Sequence, residues 1–311
     1  MNRNLYRKRG IHLCEGSALL VVLWVIAFLS FLIVTTMMVA MQDVDSVASR
    51  QIVFRARLLA EMGLNIGAHP MVKEGDPLLR NKLSDLESYE ALITNEEGRL
   101  NINAMLTEQR RGVLERLFQI WGLKAPDAEG VVDCLLDWVD TDDFKRLRGA
   151  EKLDYKKAGF AGRPYNRPFR SLDDMLLVQG MELVAEANPK WREAFTLWGA
   201  GALDINEAAA DLIAAVADVP PNSALSLINA RNGPDGIAHT LDDEPLKSIE
   251  EAMVLIGAKA PESASLFTLH GTTQRVDSVG RVGNYARRVS VVLQKSSPTA
   301  PIMEWREGVA P

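Results

Sequence analysis

The feature that most limits how this chain can fold is a run of 26 residues, from Ser17 to Gln42, without a charged side chain. The hydrocarbon core of a bilayer is about 30 Å thick, and about 20 apolar helical residues cross it. A cleaved secretory signal has an apolar region of only about 7–15 residues, followed by a small-residue cleavage site. Here the run leads into Gln42 and Asp43 without such a site. We therefore expect a retained membrane-spanning helix, and an ordinary N-terminal anchor is one reading that stays open here.

The charges around this run indicate its orientation and limit the partners of the body. Four basic residues and one acid precede it: Arg3, Arg7, Lys8, Arg9 and Glu15. Because basic residues stay on the cytoplasmic side, we expect a single-pass protein with a cytoplasmic N-terminus and a periplasmic body at the bacterial inner membrane. Without residues 1–16, the chain has 31 basic and 40 acidic residues, a net charge of −9. An acidic body argues against broad binding to DNA or RNA.

The helical pattern continues past the membrane segment. Five apolar residues fall within about 80° of each other on a helical wheel: Val44, Val47, Phe54, Leu58 and Met62. The first proline after them is Pro70. We therefore expect one helix from Ser17 to about Met71, with an apolar stripe that serves its own sheet, its neighbours, or both.

The body contains strand patterns at both ends. Residues 88–103, with a turn-like Asn-Glu-Glu-Gly at 95–98, alternate in polarity and predict a β-hairpin. Three further strand-like segments lie at 265–276, 285–295 and 301–308. The simplest arrangement is an α+β fold in which the hairpin and the last strands form one antiparallel sheet. The helical region between them is then an insertion in that sheet.

The helical region contains an internal repeat. GRLNINA at 98–104 is similar to GALDINEA at 201–208, and SLDDMLLVQGM at 171–181 is similar to SIEEAMVLIGA at 248–258. Two helical stretches lie between the members of each pair. The serine at the start of each second motif predicts a helix cap. We therefore expect two similar halves, the first of which is longer.

Several motifs now occur together in one order: the basic leader ending in Gly16, SALLVVLW from Ser17, LLDWVDTDD, SLDDMLLVQGM and the terminal MEWREG. In this order they resemble the minor pseudopilins of type II secretion, specifically the general secretion pathway protein K family. The resemblance covers essentially the whole chain. It implies a pilin-like fold, a long N-terminal helix packed on an antiparallel sheet, with a large α-helical domain inserted in the sheet.

The resemblance also implies a domain organisation and a function. We expect a prepilin leader (1–16), a transmembrane and filament-stem helix (17–42), a pilin-like domain (43–100 and 262–311) and an inserted helical domain (101–261). The implied function is that of a structural subunit at the pseudopilus tip, which helps to initiate assembly and the secretion of folded proteins across the outer membrane. The implied partners are the I- and J-type minor pseudopilins, the prepilin peptidase and the inner-membrane secretion platform.

Processing at the leader is a further implication. A prepilin peptidase would cut after Gly16, and Ser17 would become the N-methylated terminus. Gly10 is an alternative cut site, but Gly16 places SALLVVLW in the family's register. Most pilin-like subunits have a glutamate at the fifth mature position, whereas this chain has Val21. A subunit without that acid offers no partner to the N-terminal amine of a subunit above it, which fits a tip position.

The stretch that follows LLDWV is rich in acids. Hard oxygen ligands at short spacing suit calcium. An EF-hand loop counted from Asp140 would need glycine at its sixth position, where this chain has Lys145, so the stretch is not an EF-hand. From the residues alone, a solvated acidic helix end is an equal alternative. The family resemblance implies a structural calcium site, whose ligands we expect to be Asp137, Asp140, Asp142, Asp143 and Glu151. Lys152 stands where relatives often have another acid.

Two other classes of function have weaker support. The repeat is similar to helix-hairpin-helix DNA-binding modules, so a nucleic-acid-binding membrane protein is the alternative function. Such modules meet phosphates with a glycine pair and nearby basic residues, whereas the hairpin positions here, at 121–129 and 216–224, lack the glycine pair and are not basic overall. An enzyme is not expected, because the histidines are scattered and no nucleophile motif accompanies them. His239, in a segment with several acids, is expected to be a solvated loop histidine.

Overall fold

The computed structural model describes residues 15–240, 242–258, 261–294 and 301–310. The predicted leader lies outside these residues up to position 14, and the side chains of Gly16 and Ser17 also lie outside them. The chain divides into two units, of which the first ends at Arg55 and the second begins at Ala56. We describe each unit by itself.

The helices, in chain order, are α1 (Glu15–Gly67), α2 (Ile102–Met105), α3 (Arg111–Ile120), α4 (Ala125–Val139), α5 (Lys152–Lys157), α6 (Met181–Ala187), α7 (Ala210–Ala217), α8 (Pro221–Arg231), α9 (Ile249–Ile256) and α10 (Pro261–Ala264). The strands are β1 (Arg80–Lys82), β2 (Glu87–Asn95), β3 (Leu100–Asn101), β4 (Phe195–Thr196), β5 (Leu203–Asp204), β6 (Phe267–Thr268), β7 (Thr273–Val282), β8 (Tyr285–Gln294) and β9 (Ile302–Val309). Short 3₁₀ turns lie at Pro77–Leu79, Glu96–Gly98, Leu172–Leu177 and Trp191–Ala194.

The first unit consists of the N-terminal part of α1. Its segment Leu19–Val39 has a mean hydropathy of 2.7, and none of it is buried. Two hydroxyls in this segment are satisfied within the helix, because Thr35 Oγ1 donates to the Phe31 carbonyl at 2.9 Å and Thr36 Oγ1 to the Leu32 carbonyl at 2.8 Å. A helix in hydrocarbon needs such internal hydrogen bonds, because lipid tails offer polar groups no hydrogen-bond partner. The segment is therefore long and apolar enough to cross a membrane.

In the second unit, the end of α1 packs closely on the sheet. Small residues permit this approach on both sides. A Cβ at Gly63 would come within 2.5 Å of Ser278 Oγ, and a Cβ at Gly280 would come within 2.1 Å of the Ala56 carbonyl oxygen. Ala60 and Leu64 of the helix are buried against the sheet. Leu58 and Met62, the members of the predicted apolar stripe in this unit, are exposed instead.

The sheet has five antiparallel strands in the order β1-β2-β7-β8-β9. Alternate residues of β8 point into its core, which is why Val289, Val291 and Leu293 are buried with Ile93 of β2. Residues between β2 and β7 lie outside this sheet. An antiparallel sheet with a long helix on one face is the expected α+β arrangement.

The predicted hairpin at 88–103 is wrong. β2 pairs with β1 and β7, whereas β3 pairs in parallel with β4. The reason lies in the turn between β2 and β3, where the Glu96 and Glu97 side chains are buried rather than solvated. Glu96 is hydrogen-bonded to Arg275 of β7 and Thr196 of β4, so the turn leads the chain out of the sheet.

The helical region shows the same order of elements twice. The first half has β3, α3, α4, a serine-capped turn and β4, and the second has β5, α7, α8, a serine-capped helix and β6. Ser171 Oγ accepts from the Asp173 N–H at 3.1 Å, and Ser248 Oγ accepts from the Glu251 N–H at 3.1 Å. Each half closes with a parallel two-residue strand pair, and side chains of both halves form one core. The predicted strand at 265–276 is split, because its first part is β6 and its last part belongs to β7.

Candidate metal centre

The acidic loop begins at the end of α4. Asp133 and Asp137 lie one turn apart on this helix and therefore share a face. Both side chains are buried. The loop after Asp140 folds back on them, and a Cβ at Gly149 would lie only 1.9 Å from Asp137 Oδ2. Only glycine allows the backbone to approach the buried carboxylate this closely.

Aromatic side chains within the same loop pack on Trp138 of α4. The Trp138 ring stacks on Phe169 at 6.2 Å and makes edge contacts with Tyr155 at 5.7 Å and Tyr165 at 5.0 Å. These rings come from the two ends and the middle of the segment 138–169. Such pairs add about 0.5–1.5 kcal/mol each beyond their buried area. The loop is therefore held in place by its own side chains.

Arg146 is the main positive charge in the loop. Its Nη1 donates to Asp137 Oδ1 at 2.7 Å and also to Asp140 Oδ2, and its Nε donates to Glu108 Oε1 at 3.0 Å. Burial raises the pKa of Asp137, and the hydrogen bonds from Arg146 oppose that rise. Arg146 thus neutralises part of the acidic cluster from within the chain.

Glu151 has no such partner. Its side chain is buried, and neither carboxylate oxygen has a hydrogen-bond partner among the residues that the structure describes. Asp140 Oδ1 is unpartnered in the same sense. Burial and the charges of Asp137, Asp140 and Asp143 together raise the pKa of Glu151 to about 7. A buried carboxylate in this position needs a proton or a cation.

Asp142 and Asp143 are exposed and are engaged elsewhere. Asp142 Oδ1 accepts from the Phe144 N–H at 2.8 Å. Asp143 Oδ1 pairs with Lys152 Nζ at 2.8 Å, which lowers the pKa of Asp143. Arg146 therefore links Asp137 to Asp140, and Glu151 lies close enough for their charges to raise its pKa, whereas Asp142 and Asp143 lie at the surface of the loop. Among the described residues, the carboxylates of this loop do not form a group of three ligand atoms within 4.8 Å of one another.

Asn166 is a further oxygen donor that the sequence analysis missed. Its Nδ2 donates to the Asp142 carbonyl at 3.1 Å, whereas its Oδ1 is buried without a partner among the described residues. Its φ of 46° lies in the left-handed region, which asparagine tolerates better than most residues. The signal that could have found it is its place between Pro164 and Pro168, which marks an ordered turn.

The other predicted site residues lie on α1. Gly16 and Ser17 are in its first turn, and Val21 is exposed. The processing site stays a prediction, and so does the significance of Val21.

Known proteins resemble the chain in its helical region and in its fold. Residues 98–188 match the family model described as type II secretion system (T2SS), protein K. The type II secretion system protein K of Pseudomonas aeruginosa is 26% identical over 163 residues. That alignment covers 50% of this chain and 48% of the relative, so the chain matches about half the length of this curated protein.

A solved structure extends the likeness to the fold. One chain in the crystal structure of the GspK-GspI-GspJ complex from the enterotoxigenic Escherichia coli type 2 secretion system has a TM-score of 0.56 at 13% identity. The match covers 87% of this chain and 99% of that chain. The predicted pilin-like α+β fold is thereby confirmed, and none of these comparisons points to a nucleic-acid-binding protein. The resemblance to the type II secretion system protein K family is confirmed by the domain at residues 98–188 and by a fold shared with a chain of the GspK-GspI-GspJ complex.

Proposed function

We propose that this chain is a minor pseudopilin of type II secretion, a structural rather than catalytic subunit at the tip of the pseudopilus. It would help to initiate assembly and the secretion of folded proteins across the outer membrane. The observation that carries the proposal is the fold match, which spans almost the whole of a chain in a pseudopilin complex. The exposed apolar segment Leu19–Val39 supports it, because the same helix can serve first as membrane span and then as filament stem.

The leader and its charges define how the chain would be processed. Basic residues before the span support a cytoplasmic N-terminus and a periplasmic body. A prepilin peptidase would then cut after Gly16, and Ser17 would be methylated. Mass spectrometry of the N-terminus in cells with and without a prepilin peptidase tests this. Mature protein starting at Ser17 only in the peptidase-positive cells is expected, and the unprocessed chain in both would overturn the proposal.

The partners that we propose are the I- and J-type minor pseudopilins. The apolar stripe on α1 supports this, since Val47, Phe54 and Leu58 are exposed while other residues of the helix pack on the sheet. Met62 of the same stripe is also exposed, and the side chain of Val44 lies outside the described residues. An exposed apolar stripe on a long helix fits a parallel neighbour helix.

A crosslinking experiment tests these partners. Phe54→Cys in the full chain, expressed in cells with tagged I- and J-type subunits carrying matching cysteines, should give a crosslink to at least one of them. Leu225→Cys on α8, another exposed apolar position, is the matched control and should give none. Equal crosslinking at both positions would contradict an interface on α1.

The tip position rests on Val21. A filament subunit with a fifth-position acid pairs it with the N-terminal amine of its neighbour, because an unpaired charge among apolar helices is costly. Val21 cannot form that pair. Crosslinking that distributed the chain uniformly along pseudopili would contradict a tip position.

The acidic loop fits a structural calcium ion. Calcium takes carboxylate and carbonyl oxygens, and Asp140, Glu151 and Asn166 have buried oxygens without a hydrogen-bond partner among the described residues. Asp137 would add a buried carboxylate, and bound calcium would have to displace or share its contact with Arg146. Asp142 and Asp143 stay predicted ligands. The ion would neutralise the cluster and fix the long loop.

The melting temperature of the detergent-solubilised chain tests the calcium site. Calcium should raise it relative to EDTA, and Glu151→Gln should abolish most of that rise. Glu186→Gln, an exposed acid on α6, is the matched control and should keep it. A wild-type chain that melts at one temperature in calcium and EDTA would remove the site from the proposal.

A further inference from the structure

A second cluster of ligating side chains lies outside the acidic loop. Glu74 follows α1, Glu207 lies between β5 and α7, and His239 lies in the connection after α8. One ligand atom from each lies within 4.8 Å of the other two. His239 Nδ1 is 3.9 Å from Glu74 Oε2, and His239 Nε2 is 3.8 Å from Glu207 Oε2. The expected solvated loop histidine is therefore wrong, because the imidazole is only 23% exposed and lies between two carboxylates.

Glu207 is the most unusual member of the cluster. Its side chain is only 10% exposed, and its carboxylate faces His239 Nε2 at 3.8 Å. Gly98 packs directly on it, since a Cβ there would come within 2.7 Å of Glu207 Cβ. Burial, together with the charges of Glu74 and Asp204, raises the pKa of Glu207 to about 7, although the charge of His239 opposes that rise.

The nearby Arg231 neutralises these acids only in part. Two of its nitrogens bond to backbone, because Nη1 donates to the Ile205 carbonyl and Nη2 to the Ala208 carbonyl at 2.8 Å, while its charge lowers the pKa of Glu207. The acids Asp204 and Asp243 add further negative charge around the cluster. The cluster therefore has an excess of negative charge in a partly buried position, which favours a divalent cation.

The chemistry of the donors selects the class of cation. Calcium takes oxygen ligands, whereas one imidazole with two carboxylates suits zinc and its first-row neighbours. We propose that Glu74, Glu207 and His239 bind a divalent transition metal, Zn²⁺ as the reference ion, with water in the fourth position. In a tetrahedral zinc site adjacent ligand atoms lie about 3.4 Å apart. The two observed contacts use different ring nitrogens, and only one of them can bind a given ion. The glutamate on the other side of the ring, whose ligand atom lies within 4.8 Å of that nitrogen, would therefore have to move by up to about 1.4 Å to reach that separation.

The position of the site gives it a structural role. Its ligands come from three segments that are far apart in the sequence, so a bound ion ties the loop after α1 to both sides of α7–α8. A metal that binds only the folded chain stabilises it by mass action. The inference does not depend on the pseudopilin assignment, because it concerns residues that the assignment leaves without a role.

Zinc titration of the full chain in detergent tests the proposal. With calcium saturating, to occupy the acidic loop, calorimetry should detect one Zn²⁺ per chain and zinc should raise the melting temperature. His239→Ala and Glu207→Gln should each weaken zinc binding at least tenfold. His69→Ala, an exposed histidine outside the cluster, is the matched control and should bind zinc like the wild type.

Two results would overturn the proposal. One is a wild-type chain that binds no zinc and shows only a pH-dependent melting temperature, which would leave a simple histidine–carboxylate ion pair. The other is equal zinc affinity in the wild type and the His239→Ala chain. If the buried variants do not fold, Glu74→Gln keeps the test decisive, because Glu74 is 40% exposed and its replacement leaves the core intact. Cobalt substitution adds a spectroscopic check, since tetrahedral Co²⁺ has intense visible bands that this variant should lose.

Discussion

The two halves of the helical region share their regular elements and differ in one connection. Between the second helix and the serine-capped element, the first half has residues 140–170 and the second has residues 232–247. The first connection bears the acidic loop with Glu151, and the second bears His239. Strands and helices of the two halves are equivalent because they build one core, whereas loops on such a frame are free to acquire ligands. The comparison shows that the halves differ in the ligating side chains that this connection bears, and it supports our proposal that they hold different cations.

The first half joins the sheet through a buried glutamate, and we expect the largest loss of stability when that residue is replaced. Glu96 precedes the first half, is fully buried, and is held by Arg275, Arg99 and Thr196. The hydrogen bonds and charges of the two arginines lower the pKa of Glu96, although burial, the largest influence, opposes this. Glu96→Ala would remove the nearest carboxylate partner of the buried Arg275, which would keep Ser290 Oγ at 3.2 Å and Glu304 at 4.0 Å. Breaking such a buried pair costs about 3–5 kcal/mol. Urea unfolding of the solubilised chain measures this.

A matched variant at the surface tests whether the loss of unfolding free energy is specific to the buried glutamate. Glu90 pairs with Arg80 at 2.9 Å, and both side chains are exposed. Glu90→Ala should cost at most about 0.5 kcal/mol. Similar losses for Glu96→Ala and Glu90→Ala would show that the buried pair does not hold the first half to the sheet.

The second largest effect is expected at Gly149, which shapes the acidic connection alone. Because its Cβ would lie 1.9 Å from Asp137 Oδ2, Gly149→Ala forces the loop or the carboxylate to move. We expect a loss of about 2–3 kcal/mol, as in other overpacked sites. Gly130→Ala on α4 is the control, since a Cβ there meets its nearest atom at 3.7 Å and alanine favours a helix by about 1 kcal/mol. Thermal unfolding of both variants measures the difference, and equal melting temperatures would contradict the close approach.

The sequence predicted the parts of this molecule that depend on local periodicity. The predicted helix from Ser17 to about Met71 corresponds to α1, and the predicted strands at 285–295 and 301–308 correspond to β8 and β9. Their patterns repeat within the segment, so no distant residue is needed to recognise them. The repeat was visible for the same reason.

The errors have one common physical cause, which is pairing between residues distant in sequence. Glu96 resembles a turn residue until Arg275 neutralises it, so a buried exit from the sheet was mistaken for a hairpin. His239 resembles a solvated histidine until Glu207 and Glu74 come to it from other segments. Asn166 likewise contributes an oxygen that only the folded loop brings near Asp142.

The pH dependence of stability compares the two cation positions directly. Glu151 and Glu207 both have a pKa raised to about 7 from an ordinary value of 4.5. Each folded carboxyl therefore binds a proton more tightly than its unfolded form, so the unfolding free energy falls as pH rises from about 4.5 to about 7. In EDTA we expect each to contribute about 2 kcal/mol to that fall. Urea midpoints at pH 5 and pH 8 measure it.

Variants and metals then assign the two contributions. Glu151→Gln and Glu207→Gln should each remove part of the pH dependence. At pH 8, calcium should restore the stability lost at Glu151, and zinc should restore the stability lost at Glu207. Restoration by either metal at both positions would contradict a difference in selectivity between the halves.

The smallest effect on stability, but a clear one on calcium, is expected at Lys152. Its pair with Asp143 joins two side chains that are each more than half exposed, so its loss in Lys152→Glu should leave the unfolding free energy almost unchanged. The substitution frees Asp143 and adds an acid beside Glu151, so calcium affinity should rise about tenfold, as is typical when the ligand charge of a site increases. Lys157→Glu makes the same charge change at the other end of α5 and should raise the affinity much less. Because the zinc cluster lies in other segments, zinc affinity should stay the same in both variants, and a parallel rise in zinc affinity would show that net charge, rather than the ligands of each half, controls binding.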